Sequence, residues 1–160
     1  MARTARGGVT SGSVSNGDSA ASGSSQGAGA VVVDTNLHRQ EQAREIATLV
    51  ASAGLAKKAE DVQVIKVTGK VDYADFLVLM TGTSDRHVAA IAQNVESDLA
   101  QQGVRSLALE GLPLANWVLI DFVDVVVHVF QSEWREIYDL DGLWMDAERI
   151  ALPDSAPAGQ

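Results

Sequence analysis

The sequence predicts an α/β fold, a single domain with a mixed β-sheet flanked by helices. Three observations carry this. Short apolar or alternating runs (Val62–Val67, Phe76–Met80, Asp124–Phe130) interleave with segments of helical periodicity. The spacing of strand, helix and strand from Phe76 to Leu109 fits a βαβ unit, which pairs strands in parallel through a right-handed crossover. A further run, Trp117–Asp121, is separated from Asp124–Phe130 by only two residues, and the two read as an antiparallel hairpin. Parallel and antiparallel pairs must then share one sheet.

Residues 1–36 hold seven Gly and seven Ser and few large side chains. Such a segment cannot bury enough apolar surface to offset the entropy of ordering, so a disordered tail is expected. It contains no apolar run of secretory-signal type, and a transit peptide is the weaker alternative, with only Arg3 and Arg6 as cations. The domain is expected over 37–151, with a flexible tail at 152–160 marked by Pro153 and Pro157. From Leu37 to Ala53, Ile46, Ala47, Val50 and Ala53 recur at helical spacing, and Gly54 is expected to stop the helix. Val62–Val67 alternates as a strand. Phe76–Met80 is continuously apolar, as in a strand covered on both faces. Ser84 is the expected N-cap of the next helix, with Asp85 in its first turn, Val88, Ile91, Val95 and Leu99 as its buried stripe, and Gly103 beyond its end. Arg105–Leu109 is expected as a strand, and Leu140, Leu143 and Trp144 as the stripe of a short terminal helix.

Composition excludes several classes of function. Twelve Lys and Arg stand against 21 Asp and Glu, a net charge of −9, whereas nucleic-acid affinity rests first on neutralising phosphates with cations. Little direct nucleic-acid binding is expected. No apolar run approaches the length of a membrane span. The absence of cysteine leaves neither disulfide nor thiolate chemistry. His38, His87 and His128 fall on three different elements without metal-ligand spacing, so no metal site or cofactor is expected.

A set of blocks then becomes specific when taken together: Phe76-Leu77-Val78, Thr81-Gly82-Thr83-Ser84-Asp85-Arg86-His87-Val88, Glu110-Gly111, Trp117-Val118-Leu119, Asp121, Asp124 through Phe130, Tyr138-Asp139-Leu140 and Leu143-Trp144. In this order, over roughly Leu37 to Arg149, the chain closely resembles the ribosomal silencing factor (Iojap-like) family. The resemblance implies a nucleotidyltransferase-like topology without that fold's catalytic acids. It also implies a non-enzymatic factor, cytoplasmic or organellar, that binds ribosomal protein fourteen of the large ribosomal subunit. Binding there keeps the small subunit from joining, which represses translation, or assists large-subunit assembly. Many relatives of this kind are homodimers. The chain departs from the family where Phe122-Val123 replaces an aromatic followed by Gly, and a β-branched residue resists the positive φ of a tight turn.

With Phe122 and Val123 as the loop, Asp121 would face Asp124, Leu119 would face Val126, and Trp117 would face His128. Phe130 joins this side by period two, while Val118, Ile120, Val125, Val127 and Val129 form a wholly apolar side for the core. The mixture of Trp117, Leu119, Asp121, Asp124, Val126, His128 and Phe130, with Tyr138 of the terminal segment, suits a protein-binding centre. The competing reading packs Trp117 and Phe130 under a helix and leaves both aspartates exposed at the hairpin tip. A further alternative is a nucleotidyltransferase-like enzyme that uses the Gly82–Asp85 loop as a phosphate cradle. That loop lacks the glycine spacing of nucleotide fingerprints, and a helix cap explains it as well.

Overall fold

The apolar run at Phe76–Met80 becomes the centre of the molecule. In the computed structural model, which describes residues 28–152, it forms β2 (Phe76–Gly82), buried along its whole length. It pairs antiparallel with β1 (Glu60–Lys66) and parallel with β5 (Val125–Gln131). β4 (Trp117–Asp121) and β3 (Ala108–Glu110) extend the sheet beyond β5, and β6 (Glu148–Ile150) closes the other edge beside β1. The strand order is β3-β4-β5-β2-β1-β6, a mixed sheet in a single α/β domain. The expected βαβ unit runs from β2 through α2 (Asp85–Gln101) to β3, with the β4–β5 hairpin inserted between its strands. Its last strand begins at Ala108 rather than Arg105.

α1 (Ala28–Ala56) and α2 cover one face of the sheet. Val118, Ile120, Val125, Val127 and Val129, the side expected to be core, pack there with Val64, Val78 and Met80. Against them lie Ala47, Val50 and Ala53 of α1 and the Val88, Ile91, Val95 and Leu99 stripe of α2. The second face carries a smaller cluster of Ile65, Val67, Leu77, Leu79, Val126 and Phe130. The C-terminal segment, α3 (Ser132–Tyr138) and α4 (Leu140–Leu143), covers it in part through Trp134, Leu140 and Trp144.

Several boundaries differ from expectation. α1 begins inside the expected N-terminal tail, and Leu152 is buried, so order reaches beyond 37–151 on both sides. Residues 1–27 and 153–160, most of the two expected tails, lie outside the described residues. Gly54 does not stop α1. It lies within the helix, where a Cβ would collide with the Met80 sulfur, so its role is close approach of helix to sheet. β6 and α3 had no counterpart in the sequence reading.

The hairpin register also differs. Trp117 pairs with Phe130, Leu119 with His128, and Asp121 with Val126. The turn residues are Val123 and Asp124, because the Phe122 N–H donates to the Val125 carbonyl at 2.8 Å. Val123 takes φ +76° while the Asp124 N–H donates to the Phe122 carbonyl at 3.0 Å, a γ-turn of the strained hand. Asp121 steadies it by accepting the Val123 N–H at 2.7 Å. The turn is therefore tight, and the β-branched residue is forced into the conformation glycine adopts freely. Since the Val123 side chain is more than half exposed, Val123→Gly forfeits little packing. It is expected to stabilise the domain by about 1 kcal/mol, strain relief exceeding the entropy cost of glycine. The urea midpoint checks this, and an unchanged or lower midpoint would show that the turn stores no strain.

Candidate partner-binding groove

The alternation of β4 and β5 sends Trp117, Leu119 and Asp121 to the same side as Val126, His128 and Phe130, as expected, although the pairing partners are shifted. The side chains then separate by depth. Phe130 is fully buried and touches no solvent; it is a floor for its neighbours rather than a contact for a partner. Trp117 stacks on it with ring centroids 5.2 Å apart and meets Tyr138 of α3 at 4.4 Å. Tyr138 itself is largely exposed.

Asp124 is the clearest correction. It does not oppose Asp121; it turns toward α1 and pairs with the Arg39 guanidinium at 3.2 Å. The cause is the register, which assigns Asp124 to the turn and Val126 to the position opposite Asp121. The two aspartates therefore form no carboxylate pair.

Between the hairpin and the C-terminal segment lies a groove of about 390 Å³. Trp117, Leu119, Val126 and His128 line one side with Leu77, and Leu140, Leu143 and Trp144 line the other. Tyr73 and Asp121 complete the lining. Neither sequence reading anticipated this arrangement in full: the face is half covered by helices and half open. Tyr73 and the α4 wall were missed as site residues, Tyr73 because it sits in a polar segment without periodicity.

His128 lies on the groove floor, only 8% exposed. Its Nδ1 accepts the Trp117 indole N–H at 3.0 Å, which requires a neutral imidazole protonated at Nε2. Burial lowers its pKa from 6.5 to about 4. The floor is thus uncharged at neutral pH, and the indole polar atom is satisfied inside the protein.

The Gly82–Asp85 loop is occupied by its own contacts. Ser84 Oγ accepts the His87 N–H, Asp85 accepts the Arg86 N–H, and His87 Nδ1 accepts the Thr83 N–H at 2.8 Å. His87 Nε2 donates to the Lys57 carbonyl at 2.7 Å, tying the loop to the end of α1. Gly82 allows α2 to approach, since a Cβ there would press on the Val88 backbone. The Thr83, Arg86 and His87 amides are thus spent on capping and packing, which favours the helix-cap reading of this loop over a phosphate cradle. Among the described residues, no group of three or more His, Asp or Glu is placed to hold a metal ion, and no helix is long and apolar enough to cross a membrane.

Arg135 of α3 was missed by the sequence reading altogether. It is a buried cation, 7% exposed, whose donors reach three other elements, and nothing in its local sequence distinguishes it from a surface arginine.

Comparison with known proteins adds an independent line. A ribosomal silencing factor of Halalkalibacterium halodurans is 40% identical over 109 residues, spanning 68% of this chain and 93% of that protein. A crystal structure of a Chromobacterium violaceum protein superposes with a TM-score of 0.63 at 30% identity, covering 72% of this chain and 95% of that one. The mouse protein named mitochondrial assembly of ribosomal large subunit protein 1 is 33% identical over 91 residues, 55% of this chain and 40% of the mouse protein. The family model described as ribosomal silencing factor during starvation matches residues 40–160, and with the groove built on that region the chain belongs to the ribosomal silencing factor family.

Proposed function

We propose that this chain is a cytoplasmic, non-enzymatic factor that binds ribosomal protein fourteen of the large subunit through the groove and thereby blocks joining of the small subunit. The observation that carries the reading is the open groove, which combines a half-buried tryptophan, exposed Tyr73 and Leu143, and the acidic Asp121, with exposed Tyr138 packed beside it on Trp117. Aromatic anchors in a partly desolvated pocket are what binding hot spots are made of. A protein of net charge −9 is also suited to steer toward a basic partner. The family's name and the large-subunit name of the mouse relative support a ribosomal, large-subunit target. Repression would then be steric, with no chemical step.

Sedimentation with purified ribosomal subunits tests this. The protein is expected to travel with the free large subunit and hardly at all with the small one, and added protein should lower the yield of joined ribosomes. Equal sedimentation with both subunits, or stable association with joined ribosomes, would refute the exclusion mechanism.

A further inference from the structure

The groove's outer wall is a weak element on its own. α4 has four residues, far short of what holds a helix together without tertiary support. It follows Asp139, whose φ of +45° breaks the chain direction after α3 and whose carboxylate caps the Gly142 N–H at 3.0 Å. Yet this element presents Leu140 and Leu143, followed by Trp144, to the groove. Something must fix its distance from the sheet.

Arg135 does so with every branch of its guanidinium. Nε and Nη2 donate to the two oxygens of Asp141, both at 2.9 Å, a fork-on-carboxylate pair. Nη1 donates to the Asp61 carbonyl of β1 at 2.6 Å and to Thr81 Oγ1 of β2 at 2.9 Å. Asp141 also receives Arg149, whose Nη1 lies 3.9 Å from Oδ1. Arg135's hydrogen bonds are the main cause that holds the Asp141 carboxyl below the usual carboxylate range, so the pair stays ionised. Lysine could not reproduce this: a point charge lacks the planar fork that reaches one helix and two strands at once.

We infer that Arg135 is a positioning residue for the groove: by pinning Asp141 of α4 to the ends of β1 and β2, it sets where the Leu140–Leu143–Trp144 wall stands relative to Trp117 and His128. The binding consequence rests on the groove being the partner site. The clamp itself lies outside the groove, whose lining includes neither Arg135 nor Asp141. Buried ion pairs contribute little net stability against apolar replacements, but they can select one arrangement among several. Here the arrangement selected is an open wall.

Asp141→Ala in the full chain tests positioning: Asp141 is partly exposed and leaves no large cavity, Asp61 Oδ2 at 3.5 Å remains as a counter-charge for the buried Arg135, and any global cost of the broken pair is read separately as lost protection in β2 and β5. Amide exchange at residues 139–146 is expected to accelerate about tenfold or more while β2 and β5 keep their protection. Affinity for isolated ribosomal protein fourteen should fall about tenfold. Asp141→Asn, which keeps one carbonyl acceptor for the fork, should recover part of both. Unchanged exchange at 139–146, or equal loss of protection in β2 and β5, would overturn the clamp. Faster exchange with unchanged affinity would overturn its role in binding. The exchange arm uses the free protein, so a wild type that fails to bind the ribosomal protein refutes the binding reading while the clamp is still decided by exchange.

Discussion

Replacing Trp117 with alanine is expected to weaken the complex with ribosomal protein fourteen by about 2 kcal/mol, roughly thirty-fold in Kd. The indole lines the groove, keeps some exposure, and is held on three sides by Phe130, His128 and Tyr138. A ring so restrained loses little conformational freedom when a partner covers it, which is what makes an anchor effective. The same contacts mean that the free protein is also affected. Trp117 packs on the second cluster, so truncation should cost about 2 kcal/mol of stability as well, although the larger core lies on the opposite face. Trp117→Phe keeps the stack but gives up the indole donor to His128, and should remain folded with an intermediate affinity. Isothermal titration and thermal melting of both variants decide the matter. A folded alanine variant that binds as the wild type does would remove Trp117 from the interface.

Acidification from pH 7 to pH 4 is expected to remove about 3 kcal/mol of unfolding free energy through His128 alone. The sign follows from proton counts. Unfolded, His128 takes up a proton near pH 6.5; folded, burial holds it neutral to about 4. Between those values the unfolded state binds more protons, so the contribution is complete above 6.5 and is lost as pH falls toward 4. Each pKa unit corresponds to about 1.4 kcal/mol. Protonation also removes the Nδ1 lone pair that accepts the Trp117 N–H, so the groove floor and its anchor fail together. His128→Gln offers an oxygen to the indole without titrating. Its stability over pH 7 to 4 should decline less steeply than that of the wild type by about the same 3 kcal/mol, since the carboxylates are common to both. Parallel declines in urea titrations across that range would show that His128 titrates normally.

Elements with a strong local signal were legible from the residues. α2 has a four-residue apolar stripe, a serine cap whose hydroxyl receives the His87 amide, and an acidic first turn, and each of these is realised. β2 announced itself as a strand covered on both faces. The hairpin was legible as a hairpin and in its two unlike faces, but not in its register. Placing Val123 and Asp124 in the turn demands a positive φ from a β-branched residue, which local propensity argues against and which tertiary pairing imposes. β6 offers only Glu148, Arg149 and Ile150, too few residues for any period, and its pairing with β1 is set by the path of the chain after α4. The groove was half legible for a related reason. Its hairpin side follows from alternation, but its opposite wall depends on Arg135 finding partners on β1 and β2 more than fifty residues away in sequence. Such long-range satisfaction of a cation leaves no mark on neighbouring residues.

The sheet order also dictates a timetable for synthesis. β2 and its parallel neighbour β5 are separated in sequence by α2, β3 and β4, so a ribosome that has just released β2 holds a strand with one edge open. At about 5–20 residues per second, roughly 2–10 s pass before β5 emerges. During that interval β1 and α1 shield the nascent strand, while its second face waits for the C-terminal segment, the last part of the domain to leave the exit tunnel. A chain interrupted after β5 would therefore display the second face of the sheet, Leu77, Leu79 and Phe130 included, as bare apolar surface. The final stretch of translation is what converts that sticky sheet into a bounded docking site, and truncations before Arg135 should be cleared as aggregation-prone fragments rather than survive as partial factors.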